Sequence, residues 1–250
     1  MKFAKNKIAA TIALFLVLTI AVTLFALPNA NATTKKSSLP DFLEGYLQMQ
    51  AAKANMSSAQ IDQARALWIQ RIALKEETIK STNGAVLMGA TSYGSWMSTF
   101  IRPETFGGGI LYNQYNINGL TDGYFTRFYT PVIGSGASVV GRMSSSTSRG
   151  SIYIVAKLGP TGPGHIGNYF IVHVSNNPDA SWQEWINGFA GYAQVTAPNS
   201  GPAQNLYIGQ APFTFRYISV GSVVMPDQPI PNTLDRYNDV MGDCVWTTLG

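Results

Sequence analysis

Three lysines, Lys2, Lys5 and Lys7, precede twenty uncharged residues from Ile8 to Leu27, and Pro28 then leads into Ala30, Asn31 and Ala32. A basic start, an apolar run and a small-residue exit predict a secretory signal peptide over 1–32, cleaved after Ala32. The run is also just long enough to span a bilayer as a helix, so an uncleaved anchor is the alternative. Residues 33–39 read as a linker. Pro40 followed by Asp41 and Glu44 suits a helix start, with proline fixing φ and the acids facing the helix dipole. A second helix is better marked: Ser57 and Gln60 form a capping box, and Ile61, Ala64, Trp68 and Ile72 recur at three- and four-residue spacing, with Leu67 and Leu74 widening the stripe. This predicts an amphipathic helix over 58–80, ended by Asn83 and Gly84. The helical segment, 40–84, needs a partner for its apolar face. That partner is either its own domain or, for a stalk, propeptide or assembly arm, another molecule.

After Gly84 the periodicity shortens to two, in β-prone runs separated by Gly, Pro, Ser and Asn. Ser151 to Lys157, Asn168 to Ser175 and Phe213 to Val220 are the clearest strands. Gly109 to Tyr115, Tyr124 to Thr130, Ser138 to Met143, Tyr192 to Ala197, Leu206 to Gly209 and Cys244 to Thr248 are weaker ones. Strands at this spacing, with no helix between them long enough for a crossover, predict an antiparallel sandwich over 85–250. The fold class expected is therefore mainly β: an antiparallel jelly-roll β-sandwich preceded by a short helical segment and a signal peptide.

Composition narrows the functional classes. Hydrophobic residues are 46% and charged residues only 12% of the 250, which excludes a disordered or coiled-coil chain. The formal charge of +4 looks basic, but without residues 1–32 there are 14 basic residues against 13 acids, a net +1. No basic stripe is left to bind nucleic acid. Cys244 is the only cysteine, so no intrachain disulfide forms and stability rests on the core.

Several segments, in order, resemble the galactose-binding-like jelly roll of discoidin-type domains and carbohydrate-binding modules. Asn116, Gly119, Asp122, Gly123 and Phe125 are similar to the opening N-x-x-G-x-x-D-G-x-[FY] pattern. Val172, Val174, Ser175, Asn176 and Trp182 match a central strand running into V-x-V-S-N with a tryptophan after it. Phe215, Arg216, Tyr217, Ile218 and Val220 match a later F-R-Y-I-x-V strand, and Asp243, Cys244 and Val245 the closing one. The resemblance covers about residues 105–250, which are expected to fold without the helical segment. It implies extracellular ligand binding, often to glycans, through loops at one end. It also implies, for some members, a structural calcium between the early loop and the last strand. Asp122 and Asp243 are the residues it would place at the ion, and a turn residue bonding its own backbone is the alternative for Asp122.

Catalytic chemistry has little to work with. His165, in the loop GPGHIG, and His173, inside a strand, are the only histidines. No H-E-x-x-H, G-x-S-x-G or phosphate-cradling loop occurs. Glycan recognition needs an apolar ring beside polar groups. Trp182, placed by the motif at a strand start, is expected to point inward. Trp185, three residues on, then has the opposite parity and points outward as a platform. Tyr192, with Arg149 and His165 from loops, completes the candidate ligand set. The expected molecule is a secreted or cell-surface, non-catalytic binder of a glycan or glycoprotein. It touches a membrane only if the N-terminal apolar segment is kept, and the helical segment offers a route to self-association. A structural subunit of a surface layer or filament is the main rival, and an extracellular polysaccharide hydrolase the third reading.

Overall fold

Every residue after the first in the strand Tyr169–Ser175 is buried, so this strand is covered on both faces. Its alternation shows what covers each. Phe170, Val172 and Val174 enter one aliphatic core, while Ile171 joins a second, aromatic one on the opposite face. The first cover is another sheet; the second is the helical segment. The computed structural model describes residues 38–84, 93–105, 111–112, 132–133, 137–147, 150–158, 169–198, 201–223 and 240–248. Among them are three helices, α1 (Asp41–Lys53), α2 (Ser58–Ser81) and α3 (Trp182–Asn187). The ten strands are β1 (Tyr93–Thr105), β2 (Leu111–Tyr112), β3 (Val132–Ile133), β4 (Ala137–Thr147), β5 (Ser151–Leu158), β6 (Tyr169–Ser175), β7 (Phe189–Gln194), β8 (Gln204–Gln210), β9 (Phe215–Val223) and β10 (Val240–Thr248).

All the strand pairs are antiparallel. One sheet runs β1–β4–β9–β6–β7. In the other, β10 pairs on one side with β5, which pairs with β8, and on the other side with β3 and the start of β1. From β4 to β6 and again from β7 to β10, successive strands alternate between the sheets, the connectivity of a jelly-roll sandwich. Strand β1 serves both. Its residues Tyr93 to Trp96 pair with β10 and Met97 to Thr105 with β4, so it turns a corner between the layers. The opposite corner is closed by glycines. A Cβ on Gly191 would lie 2.2 Å from the Ile208 carbonyl oxygen and one on Gly209 2.4 Å from that of Ala190, with φ of 152° and 155°. Only glycine lets β7 and β8 approach this closely.

The core between the sheets is largely aliphatic: Met97, Val139, Met143, Ile152, Ile154, Ala156, Leu206, Ile208, Phe215, Ile218, Val220 and Val245 meet the inward residues of β6. The helices close a second core on the exterior. α1 begins after Pro40 with Asp41 and Glu44 in its first turn, and buries Phe42, Leu43, Tyr46, Leu47, Gln50 and Ala51 along one face. α2 carries the expected capping box, with the Ser57 N–H donating to Gln60 Oε1 at 2.8 Å and the Gln60 N–H to Ser57 Oγ at 3.4 Å. It ends where Asn83 and Gly84 take positive φ. Arg65 grips Glu44 through both carboxylate oxygens, at 2.8 and 2.7 Å, and ties α2 to α1. Trp68, fully buried, stacks on Phe189 at 4.2 Å and donates its indole N–H to the Ile186 carbonyl at 2.9 Å. At 24 residues α2 is about 36 Å long. It therefore reaches past the β7–β8 corner, where Ile79 packs against Tyr153, Tyr207 and Trp246 on the exterior of the second sheet. Residues Ser38–Gly250 form one compact unit.

Two expectations change. A fragment beginning at residue 105 would lack β1, which lies between β10 and β4, and would uncover the aromatic core on β6 and β7. And Trp182 opens a helix, not a strand: Ser181 caps α3, with its N–H on Glu184 Oε2 at 2.6 Å and the Glu184 N–H on Ser181 Oγ at 3.3 Å. The segments 1–37 and Tyr124 to Thr130 lie outside the described residues.

Candidate functional site

Strand parity does not hold on a helix, where residues three apart share a face. Trp185 is accordingly fully buried, packed with Val140 and Ala180 under α3, while Trp182 is half-buried on the same cluster with Lys53 Nζ 5.5 Å from its ring centre. The opposite parity expected from sequence does not hold: both indoles pack on this cluster, Trp185 the deeper, and Trp185 offers no platform. Tyr192 is half-buried on β7. The edge of Phe42 meets it at 5.5 Å, Tyr169 lies at 5.9 Å, and Lys75 Nζ sits 5.1 Å from its ring centre while donating to its carbonyl oxygen. Burial, with Tyr169 and Glu76 nearby, raises the Tyr192 hydroxyl above the usual tyrosine range. Burial likewise pushes Lys75 down to about 8 against the attraction of Glu76. Both groups belong to the helix–sheet clasp. Arg149, His165 and Asp122 lie outside the described residues, as does the side chain of Asp243 on β10. Among the described residues no three metal-binding side chains come together.

His173 is an internal group. Its Nδ1–H donates to the Trp185 carbonyl at 2.8 Å, and the rings of Tyr46, Trp68 and Phe189 lie 5.6–6.1 Å away. Burial pushes it down to about 4, outweighing the carbonyl that favours the protonated ring. It is therefore neutral and serves the seam beneath α1.

The open part of the exterior is elsewhere. Met97 and Met143 are register partners and point together into the core, so the residues flanking them point out. On β1 that residue is Trp96, 42% exposed, and the only tryptophan so exposed among the described residues. Its backbone N–H donates to Ser144 Oγ at 3.3 Å. On β4 the outward neighbours of Met143 are Ser144 and Arg142. Arg142 is exposed, faces Thr99 across a bulge in β1, and donates from Nη2 to Thr99 Oγ1 at 3.3 Å. Its register partner on the other side is Tyr217 of β9, half-buried against the cluster of Val140, Ala180 and Trp185. Outward residues one step apart on paired strands lie about 7–8 Å apart, within reach of long side chains. Thr99, Arg142 and Tyr217 thus share the exterior of the first sheet, and Trp96 stands at the corner beside them, in register with Trp246 of β10 and tied through its N–H to Ser144 of β4: a flat apolar ring, a guanidinium, hydroxyls and a tyrosine on adjoining outward positions. Together they can stack on the apolar face of a ligand and bond its oxygens without a proton transfer. Sequence reasoning passed over Arg142 and left Trp96 ahead of the first secure strand. The signal was the repeated order of an outward residue, an inward methionine and a serine, in S-W-M-S and G-R-M-S.

No protein-family model and no curated protein sequence matches the chain. Among solved structures it is similar to the xylan-binding module CBM15, at 13% identity and a TM-score of 0.37, over 64% of this chain and 98% of that one. It is also similar to the paired CBM32 domains of ZmpB from Clostridium perfringens, at 11% identity and a TM-score of 0.33, over 84% of this chain and 57% of that one. A third likeness is to an exo-beta-1,3-galactanase from Phanerochaete chrysosporium solved with galactose, at 12% identity and a TM-score of 0.32, over 64% of this chain and 30% of that one.

Proposed function

We propose that the chain is a secreted, non-catalytic glycan-binding protein, and that the saccharide lies on the open exterior of β1 and β4. The observation that supports this reading is Trp96. Among the described residues the domain buries Trp68, Trp185 and Trp246 and leaves one indole largely in water, near an arginine and hydroxyls, which gives up the burial of a large aromatic ring. Saccharides fit such a surface because one ring face is apolar while its rim carries hydroxyls. The loop residues Arg149 and His165 are proposed as further contacts, and a structural calcium at Asp122 and Asp243 as a support for the loops.

A glycan array probed with residues 33–250 and with the Trp96→Ala variant tests the reading. The expected result is a set of saccharides bound by the native chain and weakened five- to thirtyfold by Trp96→Ala, the loss of about 1–2 kcal/mol of stacking, with the melting temperature unchanged. Saccharide binding insensitive to Trp96→Ala places the site on other loops. No binding at all on a broad array overturns the glycan reading. For the metal, a chelator is expected to lower the melting temperature of the native chain but not of Asp122→Ala.

A further inference from the structure

The arginines of the described region are not alike in what holds their planar forks. Arg65 is committed to Glu44 and Asp62, and Arg102 to Asp179 at 2.9 Å and the Pro178 carbonyl at 2.6 Å. Arg142 has no carboxylate within ion-pair distance among the described residues. Among the described residues its guanidinium makes one long bond, from Nη2 to the Thr99 hydroxyl at 3.3 Å, which leaves most of its five N–H donors open to a ligand. Asp179, in the turn after β6, is already taken by Arg102. Among the described residues the surface around Arg142 is therefore cationic without a paired carboxylate and partly apolar, with Tyr217 beside it and Trp96 at the adjoining corner, held through Ser144 two residues on.

Resting on the glycan reading above, we infer that the ligand of this face is an acidic saccharide, whose carboxylate Arg142 grips through two parallel N–H···O bonds while Trp96 stacks on a sugar ring. A carboxylate matches the guanidinium fork in shape and charge, and such pairs are stronger than bonds between neutral partners. A neutral sugar would leave the fork's charge unanswered. The Thr99 hydroxyl fixes one edge of the fork and so aims the remaining donors, which lowers the cost of ordering a long side chain at binding.

Affinity electrophoresis of the mature chain through alginate, polygalacturonate and glucuronoxylan, each beside its carboxyl-reduced form, reads this out. At least one acidic polymer is expected to bind at 50 mM salt. The carboxyl-reduced form of that polymer, and Arg142→Gln on the native polymer, should each weaken binding about tenfold or more, and Arg142→Gln should bind the two forms alike. Raising salt to 500 mM should erode the difference. Equal binding of native and reduced polymers, or an Arg142→Gln variant that keeps full affinity, overturns the acidic-ligand inference. So does failure to bind any of the three. In each case Trp96-dependent binding of neutral saccharides on the array would leave the glycan reading standing, whereas its absence would remove both.

Discussion

The exterior of the sandwich is used in two opposite ways. Over β6 and β7 it is roofed by α1 and α2, and its apolar, aromatic and polar side chains are buried: Ile171, His173, Phe189 and, on the helices, Phe42, Tyr46, Gln50 and Trp68. Over the start of β1 and the middle of β4 it is unroofed, and carries Trp96, Arg142 and hydroxyls. The backbone pattern is the same in both places. What differs is the cover, and the residues follow it: aromatic and enclosed under the helices, one exposed indole and charge outside them. The helical segment is thus part of the fold's core, and the proposed site is what it leaves bare.

The sharpest way to break this comparison is to remove the roof. A chain shortened to 85–250 exposes Ile171 and Phe189, and its expected behaviour is aggregation or a melting transition without cooperativity. A stable, cooperative fragment would show that the helices are an appendage. A gentler cut is Trp68→Ala. It deletes a fully buried ring, its stack on Phe189 and its bond to Ile186, and should cost about 3–5 kcal/mol by denaturant unfolding. A loss below 1 kcal/mol would mean that the seam is loosely packed.

The roofed region should also be the acid-sensitive one. His173 is held neutral in the fold, near 4 against an ordinary 6.5, so the unfolded chain takes up its proton first as the pH falls. Its contribution is intact above about pH 6.5 and is lost progressively down to about pH 4, a change of roughly 3 kcal/mol. Among the described residues, the groups packed on it are Tyr46, Trp68, Phe189 and the Trp185 carbonyl, none of them charged in this range. His173→Phe should flatten that part of the stability–pH curve, and an unchanged slope would mean that water reaches the ring. On the unroofed side, Trp96→Ala should shift stability by no more than about 0.5 kcal/mol, as for ordinary surface changes.

The elements set by local chemistry were legible in the chain. The Ser57–Gln60 box and the Asn83–Gly84 stop bound α2 as read, and the runs at 151–157 and 168–175 are β5 and β6. Strand β1 escaped because Gly94, Ser95, Ser98 and Pro103 break its apolar alternation; its identity comes from pairing on two sides. α3 escaped because the preceding strand suggested a continuing period of two, although Ser181 and Glu184 spell the same capping signal as Ser57 and Gln60. That one misreading sent Trp185 outward and drew attention away from Trp96. Which exterior residues are roofed depends on where α1 and α2 dock, roughly a hundred residues away in sequence, and no local pattern encodes it.

The claim that the bare face is the binding face can be tested on tryptophan itself. Trp96 is 42% exposed, while Trp68, Trp185 and Trp246 are 0–1% exposed and Trp182 is half-buried. In oxidative footprinting read by peptide mass spectrometry, Trp96 should oxidise fastest in the free chain and be protected severalfold when a saccharide identified on the array is bound, with the three buried indoles unchanged. Equal oxidation of Trp96 with and without saturating saccharide would contradict the account.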